Sequence, residues 1–264
     1  MFKWYKDGMP KIAKIYGENI YPNQTEAALR AIARYDLIIG GVEFGDTAAQ
    51  AQKTADNIAR VRDMNDRAII LTYIGGACAN RLDNPFFSED CFLRTPEGEF
   101  ISSWPGSHLL NLSRPETIDS LVRLIASRYD DRRAADGVYI DCMGGAFDLW
   151  AAELATGKKV TFDADGDGKP DDLRTLDRLW REGKLSLLRR LREIYGGAPY
   201  ILVNGGTADA YARPYADGNI FEDTIDALTL PDTMRRLTPE DILRKCALWK
   251  EGCGDHRNCT YLSN

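Results

Sequence analysis

The sequence lacks an uninterrupted apolar run of 18 or more residues, and residues 1–7 lack the apolar core of a signal peptide. These absences predict a soluble protein with no membrane partner, although a leader removed earlier remains compatible with them. Internal repeats, low-complexity tracts and proline-rich linkers are also missing. With 264 residues, 44% of them hydrophobic, the chain can build one large core. We therefore expect a single domain over residues 1–264.

Positive charge is in short supply. The 34 lysines and arginines are outnumbered by 40 acidic residues, which gives a formal net charge of -6. Nucleic acids and anionic membranes are bound by basic faces that neutralise phosphate groups. The charge balance argues against both partners and favours a neutral or cationic ligand.

Histidine is scarce, and the cysteines show no metal-binding spacing. His108 and His256 are too few for most zinc sites, and the six cysteines form no CxxC pair. Cysteines 78 and 91, and likewise 253 and 259, lie close enough along loop-like sequence to form disulfides in an exported protein. The alternative is that these thiols are free.

Short apolar runs alternate with amphipathic stretches, which is the pattern of a parallel sheet covered by helices. The runs predict seven strands near residues 11–16, 36–41, 68–74, 137–141, 200–204, 219–222 and 259–263. Helix start signals occur at 25–26, 113–116 and 238–240, and leucines at helical spacing predict a long helix over 173–195. No GxGxxG fingerprint of a doubly wound sheet is present.

These features predict an α/β fold of the (β/α)8 TIM-barrel type, incomplete at the C-terminus because an eighth strand is missing. A long loop follows the third strand (75–114), and an aspartate-rich loop follows the fourth (142–172). In such barrels the working residues lie at the carboxyl ends of the strands. Candidate functional residues are therefore sought at those ends.

Two predicted strands end on acids. Asp141 closes the fourth strand, and Glu222 and Asp223 close the sixth. Hydrolysis of a glycosidic bond needs one carboxyl group that protonates the leaving oxygen and a second that acts as nucleophile or base. We assign Asp141 the second role and Glu222 the acid role. Alternation along a strand puts only one of Glu222 and Asp223 over the pocket, and the sequence leaves that choice open.

Other strand ends and the long loop supply candidate substrate-binding residues. Tyr73 and Asn204 are expected to orient a sugar, and Trp104 is expected to stack on one. Glu43 is either a hydrogen-bonding partner of the substrate or a surface charge. The full predicted set is Tyr16, Glu43, Tyr73, Trp104, Asn204 and Asp223. The phenylalanines of the long loop are more easily explained as a small core beneath it.

The segment 162–172 carries aspartates at the spacing of a calcium-binding loop, with Gly168 at the position of the sharp turn. Arg174 stands where an EF-hand has its closing glutamate, so the loop would be closed by an earlier aspartate. The candidate ligands of a structural Ca²⁺ are Asp163, Asp165, Asp167, Lys169, Asp171 and Asp172. The alternative is an acidic turn that stabilises the amino end of the following helix. No cofactor is expected to take part in catalysis.

Several segments together resemble glycoside hydrolases of barrel type and, more loosely, the polygalactosaminidase-like group. They are 100–106, 111–115, 136–141 (DGVYID), 163–172, 203–206 and 219–222 (NIFE). The resemblance runs from about residue 10 to the end and implies a barrel that acts on polysaccharides with acids on its fourth and sixth strands. By position, these acids are Asp141 and Glu222. The chain departs from the group in lacking the last strand.

The leading interpretation is a glycoside hydrolase with a carbohydrate substrate, expected to be a monomer located outside the cell or on its surface. A non-catalytic carbohydrate-binding barrel is the main alternative, and turnover separates the two. A metal-dependent hydrolase is disfavoured because two histidines cannot build its usual ligand set.

Overall fold

The structure is a computed structural model that describes residues 12–17, 25–42, 48–79, 84–104, 106–130, 134–144, 160–205, 212–221, 238–241, 243–244, 247 and 259–262. Its main feature is a seven-stranded sheet in which the strands follow one another in chain order. The strands are β1 (Ala13–Gly17), β2 (Leu37–Gly40), β3 (Ile69–Gly75), β7 (Gly137–Asp141), β8 (Tyr200–Asn204), β9 (Gly218–Phe221) and β10 (Cys259–Leu262). The three strands between β3 and β7 in the chain belong to a second, smaller sheet.

The pairing of these strands is parallel, as the β1–β2, β2–β3, β8–β9 and β9–β10 registers show. All seven strands lie within two residues of the segments expected from the sequence, so that prediction is confirmed. Strands such as β2 and β8 are buried along their whole length, which explains their unbroken apolar sequences. Within the described residues, β1 and β10 are the end strands of the sheet.

In the described part of the chain, four helices with defined ends lie between the strands: α1 (Glu26–Ile32), α2 (Ala48–Met64), α3 (Pro115–Asp130) and α4 (Leu173–Tyr195). Thr25 caps α1 by accepting a hydrogen bond from the Ala28 amide, and a proline opens α3. At 238–241, where a helix start was expected, Thr238 and Asp241 exchange side-chain-to-backbone hydrogen bonds in a capping box. None of the helices in the described part of the chain has the length and apolar character needed to span a bilayer.

Helix α4 shows how its sequence pattern becomes packing. Its buried apolar side chains, Leu176, Trp180, Leu187, Leu188 and Leu191, recur at helical spacing. On the opposite side, exposed arginines pair with acids four residues away, as Arg178 does with Glu182. These arginines therefore lie on a solvated face of the helix.

The chain divides into two compact units. Unit 1 comprises residues 1–74, 125–139 and 197–201, and its core is a cluster that includes Leu29, Ile38 and Ile70. Unit 2 comprises residues 75–124, 140–196 and 202–264 and holds the ends of β7 and β8. The expectation of one barrel domain over 1–264 stays a prediction.

The segment 75–114 was expected as a long loop, but it has structure of its own. Strands β4 (Cys78–Ala79), β6 (Ser107–Leu109) and β5 (Ser102–Trp104) form a small antiparallel sheet in that order. Phe87 and Phe92 are buried beneath it, and Phe92 packs edge-on against the ring of Phe100 with 6.1 Å between centroids. These phenylalanines form the small core that the sequence favoured over a sugar-stacking role.

Candidate active site

Asp141 is the last residue of β7 and is half-buried. Its Oδ1 accepts two hydrogen bonds, one from the Cys142 backbone N–H at 2.8 Å and one from the Asn204 side-chain amide at 2.9 Å. Both donors converge on the same oxygen, so the carboxylate plane is fixed by the ends of two neighbouring strands. The structure thus gives the strand-end acid a defined orientation.

Asn204 ends β8 and is 8% exposed. That its side chain orients a substrate stays a prediction, and the structure shows the amide group donating to Asp141. Both residues end neighbouring strands of the parallel sheet, which brings them to the same edge, and the register of the two strands brings them into contact. The described contact holds the Asp141 carboxylate in place.

Close backbone contacts lock the strand ends around Asp141. The Gly76 N–H donates to the Asp141 carbonyl oxygen at 3.0 Å, and the Met143 N–H donates to the Asn204 carbonyl oxygen at 2.7 Å. A Cβ atom at Gly76 would lie 2.5 Å from the Asp141 carbonyl oxygen, which is closer than real Cβ contacts come. Glycine is therefore required at position 76 for β3 and β7 to approach each other at this point.

Lys184, on helix α4, lies behind the segment that follows Asp141. It is 2% exposed, and its Nζ donates to the Gly144 carbonyl oxygen at 2.5 Å. A buried ammonium group is costly unless it is hydrogen-bonded, so this contact ties α4 firmly to the chain just after β7. Lys184 lies four residues from both Trp180 and Leu188, so helical spacing places it on the buried face of α4, whereas its partner Gly144 follows only from the fold.

Four of the cysteines have a described backbone, and the side chains of three, Cys78, Cys91 and Cys142, are described and form no disulfide. Cys91 is buried between Ser88 and Ser120, so the expected Cys78–Cys91 disulfide is not formed. The Sγ atom of Cys78 lies instead 3.8 Å from that of Cys142. Cys253, from the other expected pair, lies outside the described residues.

The remaining predicted site residues are only partly visible. Tyr73 is half-buried in β3, and its ring lies 5.4 Å from that of Tyr139. Tyr16 and Trp104 have described backbones within β1 and β5, and nothing is described of their side chains. Glu43, Glu222 and Asp223 lie outside the described residues.

The aspartate-rich loop has a compact arrangement of its own. Carboxylate oxygens of Asp163, Asp165 and Asp171 lie within 4.8 Å of one another. Asp163 is buried and accepts backbone N–H groups from Gly166, Asp167 and Gly168, at 2.7 to 3.1 Å. The loop therefore wraps around Asp163, and three of the six predicted metal ligands come together.

The other three predicted ligands have different contacts. Asp167 pairs with Lys169, whose ammonium group and backbone N–H both bond to it and lower the pKa of the carboxyl group. Asp172 is the N-cap of α4, and the Thr175 N–H and hydroxyl donate to its carboxylate and lower its pKa. This cap is the alternative role that the sequence raised for the acidic end of the loop.

A cavity of about 270 Å³ borders this loop. Its lining includes the side chains of Arg94, Asn111, Arg114 and Asp163. Asn111 also donates to the Ala164 carbonyl oxygen at 2.8 Å, which holds the loop against the segment before α3. The cavity gives solvent and ions a path to Asp163.

No protein-family model and no curated protein matches the sequence. Among solved structures, the chain is similar to an alpha-galactosidase from Geobacillus stearothermophilus, with a TM-score of 0.56, 10% identity, and coverage of 98% of this chain and 39% of that one. It is also similar to the galactosidase domain of an alpha-galactosidase-sucrose kinase, with a TM-score of 0.55, 13% identity, and coverage of 99% and 38%. A third similar structure is the alpha-galactosidase from Lactobacillus brevis, with a TM-score of 0.53, 12% identity, and coverage of 96% and 37%.

The chain thus spans less than two fifths of the length of these neighbours. At such identities the likeness shows the fold, which this chain shares with glycoside hydrolase domains.

Proposed function

We propose that this protein is a glycoside hydrolase that uses two of its carboxyl groups to cleave a glycosidic bond. Asp141 is the nucleophile or base. The observation that carries the proposal is the fixed carboxylate of Asp141 at the end of a parallel strand, held by N–H groups of Cys142 and Asn204. Preorganised donors keep a reacting group in place without reorganisation during the reaction. The shared fold with glycoside hydrolase domains supports the same conclusion.

We propose Glu222 as the acid, with its place directly after β9 in the sequence as the support. The β8–β9 register pairs Asn204 with Ile220, and paired residues of parallel strands point to the same face. Asn204 shares its face with Asp141, because their side chains are hydrogen-bonded. Ile220 near the end of β9 is therefore on the face of Asp141, and Glu222 and Asp223 follow β9 beyond the described residues.

The order of the strands supports the barrel interpretation. A doubly wound sheet reverses direction at a switch point, whereas these seven strands run in chain order from β1 to β10. We infer that the sheet is part of a (β/α)8-type barrel, to which the described residues contribute seven strands. Catalytic residues at the carboxyl ends of β7 and β9 agree with the position of active sites in such barrels.

The proposed substrate is an oligosaccharide or polysaccharide, and we propose that the protein acts on it as a monomer outside the cell or on its surface. Because the similar folds include alpha-galactosidases, aryl α-galactosides head the panel of substrates to be tested, followed by α- and β-glycosides of other sugars. The expected result is release of the aryl alcohol with saturation kinetics. Sugar binding without release from any substrate would favour a non-catalytic carbohydrate-binding barrel.

Replacing Asn204 with leucine tests its role as a positioning residue. Leucine has a similar volume but no side-chain N–H group, so of its two described donors Asp141 loses that of Asn204 and keeps that of Cys142. We expect kcat to fall about tenfold to a hundredfold with little change in KM, because a misplaced carboxylate slows the chemistry rather than binding. A raised KM with an unchanged kcat would mean instead that Asn204 contacts the sugar.

We also propose that the loop 163–171 binds a structural Ca²⁺ through Asp163, Asp165 and Asp171. Their oxygens lie within 4.8 Å of one another, and carboxylate oxygens are the ligands that Ca²⁺ prefers. In addition, the Gly168 N–H donates to Asp163 at 2.9 Å, which pairs the first position of the loop with its sharp turn. The bound ion would tie the loop to the amino end of α4.

Calcium is expected to raise the melting temperature by about 5 °C when its concentration is about a hundredfold above the dissociation constant. Asp165→Asn should remove the increase while leaving the metal-free protein unchanged, because asparagine can still accept the Asp167 N–H. Asp66→Asn, an exposed acid outside the loop, serves as the matched control. Equal melting curves of the wild type in Ca²⁺ and in a chelator would refute the site.

A further inference from the structure

The side chains of Cys78 and Cys142 lie close together beside the proposed nucleophile. Their Sγ atoms are 3.8 Å apart, and both side chains are partly exposed. Cys78 lies in β4, where it pairs with Leu109 of β6. Cys142 lies between Asp141, the last residue of β7, and Met143, whose N–H donates to the Asn204 carbonyl oxygen. The proximity of the thiols is therefore set by the fold.

The thiols are within reach of a disulfide bond, which requires about 2.05 Å between sulfur atoms. Closing the remaining gap needs rotation about the Cα–Cβ bonds and a small shift of one backbone. Cys142 has a φ of 58°, a left-handed conformation that side chains other than glycine rarely adopt. A residue already held in this conformation is a point at which a small backbone shift relieves strain.

We propose that Cys78 and Cys142 form a reversible disulfide, with a low-molecular-weight disulfide such as oxidised glutathione as the oxidant. The thiolate of one cysteine attacks the glutathione disulfide, and one glutathione leaves as its thiolate. The thiolate of the second cysteine then attacks the mixed disulfide and displaces the remaining glutathione. Two electrons pass from the protein to the oxidant, and the two protons lost by the cysteines end on two molecules of reduced glutathione.

The disulfide also lowers the rate of hydrolysis, a consequence that rests on the proposed function. The backbone N–H of Cys142 is one of the two donors that orient the Asp141 carboxylate. Pulling Cys142 toward Cys78 moves this donor, and a misplacement of about 1 Å at a reacting group can cost about a hundredfold in rate. The oxidised protein is thus a slower hydrolase than the reduced one.

The pairing can be read by peptide mapping, because each of the six cysteines falls on a different tryptic peptide. Cys78 lies on 68–81, Cys91 on 82–94 and Cys142 on 134–158. The full chain is equilibrated in glutathione buffers, its free thiols are alkylated, and the digest is analysed by mass spectrometry. A cross-linked 68–81/134–158 peptide that disappears on reduction is expected. Alkylation of both thiols in the most oxidising buffer, or pairing of either with another cysteine, would overturn the proposal.

Hydrolysis is measured on the same samples. We expect the oxidised wild type to be at least tenfold slower than the reduced one and to recover on reduction. Cys78→Ser should keep the reduced rate in every buffer, and Cys91→Ser, which changes a thiol outside the pair, should still respond to oxidation. If the disulfide forms and the rate stays the same, the regulatory consequence is wrong. If the reduced wild type hydrolyses nothing, the proposed function fails, while the peptide map still decides the disulfide.

Discussion

Replacing Asp141 with asparagine is expected to lower kcat about a thousandfold, since it deletes the ionisable group that attacks the sugar or activates water. Both described hydrogen bonds reach Oδ1, and the amide oxygen of asparagine can accept both. The substitution therefore preserves the geometry of the strand end and removes the charge. Steady-state rates on the best aryl glycoside provide the measurement.

Because the contacts are kept, the melting temperature of Asp141→Asn should stay within a few degrees of the wild type. This separates loss of chemistry from loss of fold. A folded variant that retains a rate within tenfold of the wild type would remove Asp141 from the mechanism. The carboxylate would then be a structural group at the strand end.

Replacing Glu222 with glutamine is expected to produce the second large loss, about a hundredfold to ten-thousandfold, through removal of a general acid. The loss should depend on the leaving group. Substrates with poor leaving groups need the proton and should slow most, whereas activated aryl glycosides that leave unaided should slow least. Rates across a series of aryl leaving groups, plotted against the acidity of the released phenol, measure this dependence.

Asp223→Asn is the matched control for this experiment. It makes the same change of acid to amide one residue further along, and alternation along a strand puts only one of two neighbouring residues over the pocket. Near-normal rates are expected. If Asp223→Asn loses turnover and Glu222→Gln keeps it, the two acids exchange roles and the assignment of the acid to Glu222 fails.

The strands were predictable from the sequence because burial on both faces leaves a simple pattern. Runs such as 200–204 are apolar throughout and end at a polar residue, and these features fix both the strand and its working end. The placement of Asp141 at the end of β7 followed in the same way. The local sequence pattern is sufficient to predict a feature that belongs to a single strand, such as its bounds or the residue at its end.

Contacts between elements were not predictable in this way. The hydrogen bond from Asn204 to Asp141 depends on the relative register of β7 and β8, which no property of either strand alone determines. The burial of Lys184 depends on the close approach of α4 near Gly144. The nearness of Cys78 to Cys142 likewise depends on where the small antiparallel sheet lies, although its strands were expected to be loop.

The aspartate-rich loop lies between these two cases. The spacing of its aspartates identified a turn rich in oxygen ligands. It could not show which aspartates bind a helix end, which pair with a lysine and which converge on one another. Asp172 serves as the cap of α4, and Asp167 forms an ion pair with Lys169. Asp163, Asp165 and Asp171 converge because the loop folds back through the hydrogen bond from the Ala164 N–H to Asp171. This closure depends on how the loop folds, which the spacing of the aspartates alone does not determine.

The most direct test of the two-carboxylate mechanism is the release of sugar from the glycoside panel by the reduced wild type beside Asp141→Asn and Glu222→Gln. Turnover by the wild type that both variants lose, with their melting temperatures and sugar binding retained, is the predicted result. A wild type that binds sugar and never cleaves it, or one whose rate survives both substitutions, would contradict the mechanism.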